Sequence, residues 1–276
     1  MLATERLKLK NKLRIIGTIE FDTAWHIGSG HEGQSSDMGV LLDAQNLPIL
    51  PGSSIKGKLR STCERLAPAL NLKACLLDST ASGVGCASDV RWYRNYKREH
   101  QEAIKNGADV HLDWIDHNTC DICKVFGSTV QAARLWCSDG FLQDPFSAGI
   151  RVRDGVVLDR DSHTVVDGLK YDYEVVNAGT RFEVHFDAEN LSVIEEALLG
   201  AALFDWSAGS TLGAATSRGL GQFHLEGICV TGVDFSNPKE RIRYLTNISK
   251  QDKMSQRGDW QSYFQTKIAN CTNTQN

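Results

Sequence analysis

The fold is decided by residues 180–230, TRFEVHFDAENLSVIEEALLGAALFDWSAGSTLGAATSRGLGQFHLEGICV. At its start, TRFEVHF alternates between polar and apolar side chains, which predicts a half-buried β-strand. Ile194, Leu198 and Ala201 then share one helical face, which predicts a helix over residues 192–206. A glycine-dense loop follows, and the segment ends in GQFHLEGICV, whose composition is typical of a strand. The segment therefore predicts a strand, a helix and a strand in succession.

The preceding part of the chain shows a related order of elements. Residues 12–25, KLRIIGTIEFDTAW, are rich in β-branched and aromatic side chains and predict a strand. Apolar residues at spacings of three or four follow the Pro-Gly-Ser-Ser segment at 51–54, and they predict a helix with a serine N-cap. Residues 131–142 predict the next strand. The order strand, helix, strand, strand, helix, strand fits the ferredoxin-like split βαβ motif with insertions, which is an α+β fold.

The remaining regions have weaker patterns. A chain of 276 residues exceeds the usual ~100 to 200 residues of a domain, yet one elaborated domain is the better expectation. Residues 67–123 form a polar insertion that contains cysteines and lacks steady periodicity. After residue 149 the chain is β-rich, with turn signals at 154–155, 167–168 and 177–179. Beyond Ser236 the tail is polar, and we expect its last residues, CTNTQN, to be frayed.

The composition excludes several classes of protein. With 41% hydrophobic residues, 23% charged residues and a mean hydropathy of −0.29, the chain is typical of globular proteins and not of disordered ones. No stretch approaches the ~18 to 20 apolar residues of a membrane span, and the basic start lacks an apolar signal region, so we expect a cytoplasmic protein without a membrane partner. A net charge of −4 means that any contact with a nucleic acid must be local.

The eight cysteines suggest a metal site. Cys120 and Cys123 form a C-x2-C knuckle, and Cys75 and Cys86 supply two further thiolates, so the four predict a structural zinc that staples the insertion. One ligand could instead be Cys63, His100, His111 or His117, and the alternative to a metal site is a set of buried free thiols. Cys137 and Cys229 lie in apolar strand patterns and are expected in the core.

A second glycine loop spans residues 209–221, GSTLGAATSRGLG, and carries Arg218 among small residues. Glycines let backbone N–H groups approach a phosphate, and a guanidinium can pair with it through two hydrogen bonds. The spacing is neither that of a P-loop nor that of a dinucleotide-binding motif, which argues against nucleotide enzymes.

Three separated motifs together resemble the RAMP superfamily. They are the segment from His26 (HIGSG, a polar loop ending in Asp37, then LPILPGSSIKGKLRS), the later CDICKVFGS, and TSRGLGQF. Within that superfamily they are similar to the backbone subunits of type III CRISPR effector complexes of the Csm kind. The resemblance runs in order from about residue 12 to residue 232.

The resemblance implies an RRM-like palm, a β-rich thumb and assembly along a guide RNA (crRNA) that pairs with a complementary target RNA. Its partners would be crRNA, target RNA and other effector subunits, including further copies of itself. Base pairing would select the target, while the protein reads backbone and shape. The implied division is a palm at about 12–66, 124–148 and 180–233, a zinc-type insertion at 67–123, a thumb at 149–179 and a C-terminal tail at 234–276.

The implied RNA contacts are distributed over three segments. Ser53, Ser54, Lys56 and Lys58 lie at a helix N-terminus, where free N–H groups and lysines favour an anion, and without the resemblance an ordinary cap is equally reasonable. Arg60 on the same helix joins them or faces solvent. The complete predicted RNA-binding set is Ser53, Ser54, Lys56, Lys58, Arg60, Arg151, Arg153, Ser217, Arg218 and Gly219.

The resemblance also implies that Asp37 is the residue that cuts target RNA at regular intervals. The RNA supplies its own nucleophile in the 2′-hydroxyl, so a carboxylate has only to accept a proton or hold a divalent ion such as Mg2+ or Mn2+ near the phosphate. Asp43 competes but is better explained as a turn residue, and His26 as a structural residue, whereas His31 could act as acid or base. The alternatives are a non-catalytic crRNA-binding structural subunit and a guide-precursor processing ribonuclease.

Overall fold

The structure, a computed structural model, describes residues 8–33, 36–75, 86, 90–106, 118–128, 131–247, 249 and 253–273. His111 and His117 lie outside these residues. The larger sheet and its flanking strands are β1 (Asn11–Phe21), β2 (Leu135–Cys137), β3 (Phe141–Leu142), β6 (Arg181–Glu189), β7 (Ser210–Thr211), β8 (Gln222–Asp234) and β9 (Ser255–Gln256). A separate hairpin consists of β4 (Ile150–Leu158) and β5 (Val165–Val176). The helices are α1 (Gly52–Leu66), α2 (Val90–Glu99), α3 (Gln101–Lys105), α4 (Asp121–Phe126), α5 (Val193–Ala208), α6 (Pro238–Thr246) and α7 (Trp260–Asn273).

The larger sheet has the predicted ferredoxin-like topology. Its order is β2-β6-β1-β8-β7, with every pair antiparallel. Strand β6 lies between β1 and β2 and so splits the unit formed by β1, α1 and β2, as the motif requires. At the centre, Ile15 lies opposite Phe186 on one side and opposite Val230 on the other. The predicted α+β class is confirmed.

Alternation along the strands places one face of the sheet in the core. Phe182, Val184 and Phe186 are at most 1% exposed and face the layer that contains α1 and α5. The opposite face is polar, where Arg14 pairs with Asp187 and other ion pairs line the strands. Within the described residues, no helix is both long enough and apolar enough to cross a membrane.

Two of the three turns predicted after residue 149 are wrong, because they lie within the strands of the hairpin β4–β5. Residues 154–155 and 167–168 lie within strands, and the chain reverses at residues 159–164. Gly155 is needed because the ring of Tyr171 lies across the backbone opposite it, where a Cβ would collide with the ring. The turn at 177–179 is confirmed, and Gly179 donates its N–H to the carbonyl of Phe21.

Four other expectations need correction. Residues 131–142 form two short strands, β2 and β3, instead of one. Helix α1 has Pro51 as N-cap with no side-chain cap, and its first N–H, on Gly52, is bound by Asp139 at 2.7 Å. Cys229 is exposed and not in the core, and Cys137 is only partly buried. Of the last residues expected to be frayed, 271–273 belong to helix α7, which packs on α5, and 274–276 lie outside the described residues.

The contact between α5 and α7 depends on Gly200. A Cβ on Gly200 would lie 2.5 Å from ring atoms of Phe264, which is fully buried. Gly57 in α1 has open space around the same position. One substitution therefore has opposite consequences in two helices of this chain.

We expect Gly200→Ala to lower the free energy of unfolding by about 1 to 3 kcal/mol, because it overpacks the α5–α7 contact. Gly57→Ala, the matched control, should raise that free energy by about 0.5 to 1 kcal/mol, since alanine loses less entropy in a helix. Denaturant unfolding of the two variants measures both values. Equal shifts in the two variants would contradict a tight contact at Gly200.

Candidate functional site

Three segments that are distant in sequence meet in one open groove. Its volume is about 520 Å³. The first glycine loop, residues 28–39, contributes Gly28 and follows His26 and Ile27 of the HIGSG motif. Helix α1 contributes one face, and the second glycine loop contributes the opposite wall. The lining residues are His26, Ile27, Gly28, Ser54, Gly57, Lys58, Thr211, Leu212, Gly213, Ala214 and Thr216.

Backbone hydrogen bonds fix the second glycine loop to the end of β1. The carbonyl of His26 accepts from Ala214 N and the carbonyl of Ala24 accepts from Gly221 N, both at 2.8 Å. Gly213 and Gly221 have positive φ angles, and a Cβ on Gly213 would collide with the carbonyl of His26. These glycines therefore permit close backbone packing, which brings Thr216 and its neighbours to the groove.

The predicted phosphate-binding residues of α1 have different surroundings. Ser54 and Lys58 line the groove, whereas the ammonium group of Lys56 donates to the carbonyl of Leu135 at 2.9 Å. Burial lowers the pKa of both lysines. Ser53 is exposed near the helix N-terminus, where the carboxylate of Asp139 already binds one of the free N–H groups. Lys58 is therefore the lysine of this set that faces the groove.

Asp37 is exposed and anchored to the edge of β5. Its Oδ2 accepts from the backbone N–H of Asp172 at 2.9 Å, and the next residue, Met38, forms a parallel bridge with Tyr173. Lys170 pairs with both Asp154 and Asp172, at 3.4 and 3.8 Å, and the interaction between the two carboxyl groups raises the pKa of Asp172 and lowers that of Asp154. Asp37 thus lies beside Asp172, whose cross-strand partner in the hairpin is Asp154. Asp43 is a turn residue, as predicted, because its Oδ1 accepts from Gln45 N and Leu47 N.

Sequence reasoning missed the residue that organises the first glycine loop, Glu174. Its buried carboxylate accepts from Val40 N at 2.9 Å, and its carbonyl accepts from Nδ1 of His26 at 2.6 Å. His26 is 6% exposed and has this structural partner, while His31 is exposed. A period-two strand pattern gives no signal for a partner more than 130 residues away.

The other predicted RNA-binding residues lie outside the groove. Nη1 of Arg218 donates to the hydroxyl of Tyr171 at 2.9 Å, which links the second glycine loop to the hairpin. Ser217 and Arg218 belong to a short 3-10 helix, Thr216–Arg218, and Gly219 follows it as the C-cap. Arg151 and Arg153 line a second groove, of about 690 Å³, at the base of the hairpin.

Cys75, Cys86, Cys120 and Cys123 converge on one point. All four sulfur atoms lie within 4.8 Å of one another, and Cys75 and Cys123 are 3.5 Å apart. Four thiolates at ~2.3 Å from a zinc ion would be separated by roughly 3.8 Å, so the donor set and its spacing fit a tetrahedral metal such as zinc. Cys63 is buried in the core and is not part of this group.

Hydrogen bonds within the cluster favour the thiolate of Cys120, whereas the hydrogen bond with Cys120 together with burial raises the pKa of Cys123. The N–H of Cys120 donates to Sγ of Cys86 at 3.0 Å, and the N–H of Cys123 donates to Sγ of Cys120 at 3.4 Å. Hydrogen bonding with Cys123 lowers the pKa of Cys120 to about 5, whereas burial raises the pKa of Cys86 to about 11. The thiolate is the form that binds metals.

Arg60 contacts this cluster directly. Its guanidinium donates to Glu64 at 2.8 Å, to the carbonyl of Gly127 at 3.0 Å and to Sγ of Cys123 at 3.2 Å. Burial alone would lower the pKa of Arg60, and the hydrogen bonds to Glu64 and Cys123 reverse that effect and raise it. The prediction that Arg60 binds RNA gains no support from these contacts.

Comparison with known proteins agrees with the motif analysis. A sequence profile of the RAMP superfamily matches residues 18–224. The chain is 27% identical over 266 residues to a protein of Methanocaldococcus jannaschii named "CRISPR system Cms endoribonuclease Csm3", and the alignment covers 90% of each chain. A protein of the same name from Enterococcus italicus is 49% identical over 55 residues, which are 18% of this chain and 26% of that relative. The profile spans both glycine loops, α1 and the cysteine cluster, and it ends before α6 and α7.

Proposed function

Because the chain belongs to the RAMP superfamily, we propose that it is a backbone subunit of a type III CRISPR effector that binds crRNA and cleaves complementary target RNA. The observation that carries the proposal is the groove in which the HIGSG segment, α1 and the second glycine loop meet. The 27% identity to a Csm3 endoribonuclease over 90% of both chains supports the same role. Its partners are then crRNA, target RNA and other effector subunits, among them further copies of this chain.

In this proposal the groove holds the guide backbone. Lys58 supplies a positive charge and Ser54 a hydroxyl donor, while the small residues of the second glycine loop let a phosphate approach the backbone. The remaining proposed contacts are Ser53 and Lys56 on α1, Ser217, Arg218 and Gly219 on the second loop, and Arg151 and Arg153 at the base of the hairpin. Sequence choice comes from base pairing between guide and target.

We expect Lys58→Met to weaken guide RNA binding about tenfold at low salt, the equivalent of one charged hydrogen bond of about 1.5 kcal/mol. The slope of log affinity against log salt should also fall by about 0.7, because one phosphate contact to a single strand is lost. Lys239→Met, which removes the same charge from exposed helix α6, is the control. Equal losses in both variants would mean that Lys58 contributes only to the overall charge.

The proposed cleavage is a transesterification within the target RNA. The 2′-hydroxyl loses its proton to the carboxylate of Asp37 and its oxygen bonds to the adjacent phosphorus. The bond from phosphorus to the 5′-oxygen breaks and that oxygen takes up a proton, which leaves a 2′,3′-cyclic phosphate and a 5′-hydroxyl. Asp37 suits this task because it is exposed, while Asp172 N of β5 holds one of its carboxylate oxygens and the next residue, Met38, forms a bridge to β5.

Cleavage is also proposed to need Mg2+ or Mn2+. Among the described residues, two groups have the spacing of metal ligands, and Asp37 belongs to neither. A bound divalent ion would supply charge stabilisation at the phosphate. Mg2+ commonly binds through one or two carboxylates together with substrate phosphates, so Asp37 would hold it jointly with the RNA.

Zinc is proposed at the four clustered cysteines. Cys75, Cys86, Cys120 and Cys123 would hold it, and four protein ligands leave no open position for chemistry. Its role is to close the insertion at residues 67–123.

A purely structural role is the second candidate. In favour of this role, neither of the two metal-ligand groups found among the described residues includes Asp37. In that case the subunit holds guide and target while another protein cuts.

The test is cleavage of labelled target RNA by the guide-loaded assembly, with Mg2+ or with EDTA. Regularly spaced cuts that require the metal and carry a 2′,3′-cyclic phosphate are expected. Bound but uncut target in both conditions would favour the structural role. Cleavage of the repeat hairpin of a guide precursor, with no target RNA paired to it, would instead identify a guide-processing ribonuclease.

A further inference from the structure

Arg60 is a cation of α1 whose side chain is largely buried, with 14% of its surface exposed. Its three hydrogen bonds end on three different parts of the protein. Glu64 lies one turn further along the same helix, Cys123 lies within α4, and Gly127 follows the end of α4. The guanidinium therefore joins the helix that lines the groove to the helix that carries the C-x2-C knuckle.

The contact with Cys123 has an electrostatic consequence. Four thiolates and a divalent zinc ion carry a net charge of −2, and burying that charge is costly unless it is compensated. A guanidinium is always protonated and donates through a fixed planar fork, so it can compensate one charge at a set position. The N–H bonds from Cys120 and Cys123 to neighbouring sulfur atoms are backbone contacts, and Arg60 adds a charged donor to them, whose positive charge is shared with Glu64.

We propose that Arg60 is an outer-sphere residue of the cysteine cluster, which raises its affinity for metal and fixes α4 against α1. This inference rests on the zinc part of the proposed function and does not depend on RNA binding or cleavage. Glu64 orients the guanidinium from the same helix, and Gly127 anchors its other edge. Outer-sphere partners of metal ligands typically change metal affinity by about 10- to 100-fold.

The test measures metal binding by the purified full chain. Zinc affinity is determined by competition with a chromophoric chelator for wild type, Arg60→Met and Arg60→Lys. Arg65→Met is the matched control. Arg65 lies on the same helix, its side chain is 64% exposed, and it pairs with Asp205. We expect about 10- to 100-fold weaker zinc binding for Arg60→Met, a smaller loss for Arg60→Lys and wild-type affinity for Arg65→Met.

Cobalt substitution gives a second readout that also serves if Arg60→Met fails to fold. A hydrogen bond to a metal-bound thiolate shifts the sulfur-to-metal charge-transfer absorption, so Arg60→Lys should move this band relative to wild type and Arg65→Met. Wild-type affinity and an unchanged band in the Arg60 variants would overturn the inference while leaving the metal site intact. A wild-type chain that binds neither zinc nor cobalt would overturn the inference together with the zinc part of the proposed function.

Discussion

Asp37→Asn should lower the rate of target RNA cleavage by about 10²- to 10⁴-fold and leave target binding unchanged. This magnitude is the usual contribution of a positioned general base. Asparagine is chosen because its side-chain oxygen can still accept the hydrogen bond from Asp172 N that anchors the loop to β5. The substitution thus removes the negative charge and the proton-accepting capacity while it keeps the local structure.

Asp43→Asn is the matched control for this experiment. It makes the same chemical change six positions later in the same segment, and Asp43 uses its Oδ1 to close its own turn through Gln45 N and Leu47 N. Asparagine can maintain those bonds, so we expect normal cleavage. Rates are measured with guide-loaded assemblies at saturating target. A wild-type rate in Asp37→Asn would exclude Asp37 as the catalytic residue.

The surroundings of Asp37 add a second arm to the test. Asp172 lies next to Asp37, and Asp154 is the cross-strand partner of Asp172 in the hairpin. If Asp172 compensates for a missing Asp37, the double variant Asp37→Asn/Asp172→Asn will cut far more slowly than Asp37→Asn alone. If the two rates agree, Asp172 does not take over the role of Asp37.

The sheet was predictable from the sequence because its strands obey a simple burial rule. Residues 180–186 alternate in sequence and alternate in burial, and the helix at 192–206 matches α5 closely. The hairpin β4–β5 was harder, because many of its apolar side chains are exposed and no core imposes a pattern. There the Asp-Gly pairs were interpreted as turns, although Gly155 serves instead to accommodate Tyr171.

The candidate site was predictable where neighbours in sequence are neighbours in space, and where a residue type that commonly binds metal, cysteine, recurs in the insertion. The C-x2-C knuckle indicated Cys120 and Cys123 because its spacing alone brings two thiolates together. Asp139 at the N-terminus of α1 and Glu174 beneath the glycine loop bind backbone groups 87 and 134 positions away. No local pattern records such contacts, which arise from the packing of strands that the topology places side by side.

Arg60 shows the same limit for a charged residue. On sequence it belongs with Lys56 and Lys58 in a basic helix, and that proximity suggested a shared role in RNA binding. Helical geometry separates them, because Lys58 lines the groove while Arg60 turns toward Cys123. The face of the helix on which a cation lies therefore determines which groups it contacts, even where its neighbours in sequence are also cations.

Replacing Cys123 by serine should remove the bound metal and lower the free energy of unfolding by more than about 4 kcal/mol, the range associated with loss of a structural metal site. For a chain of this size the midpoint of thermal unfolding should fall by roughly 10 °C. The effect is large because Cys123 is fully buried and lies between Cys75 and Arg60. Metal content is measured by elemental analysis and unfolding by circular dichroism.

Cys229→Ser is the control, since Cys229 is exposed and lies outside the cluster. It should retain the metal and shift stability by no more than about 0.5 kcal/mol. A chelator added to wild type should reproduce the Cys123→Ser unfolding curve, and zinc should restore the wild type but not the variant. If the four cysteines are instead free thiols, wild type will carry no metal and the chelator will leave its midpoint unchanged. Cys123→Ser would then cost only the packing of one buried sulfur, and the insertion at residues 67–123 would be held by its contacts with α1.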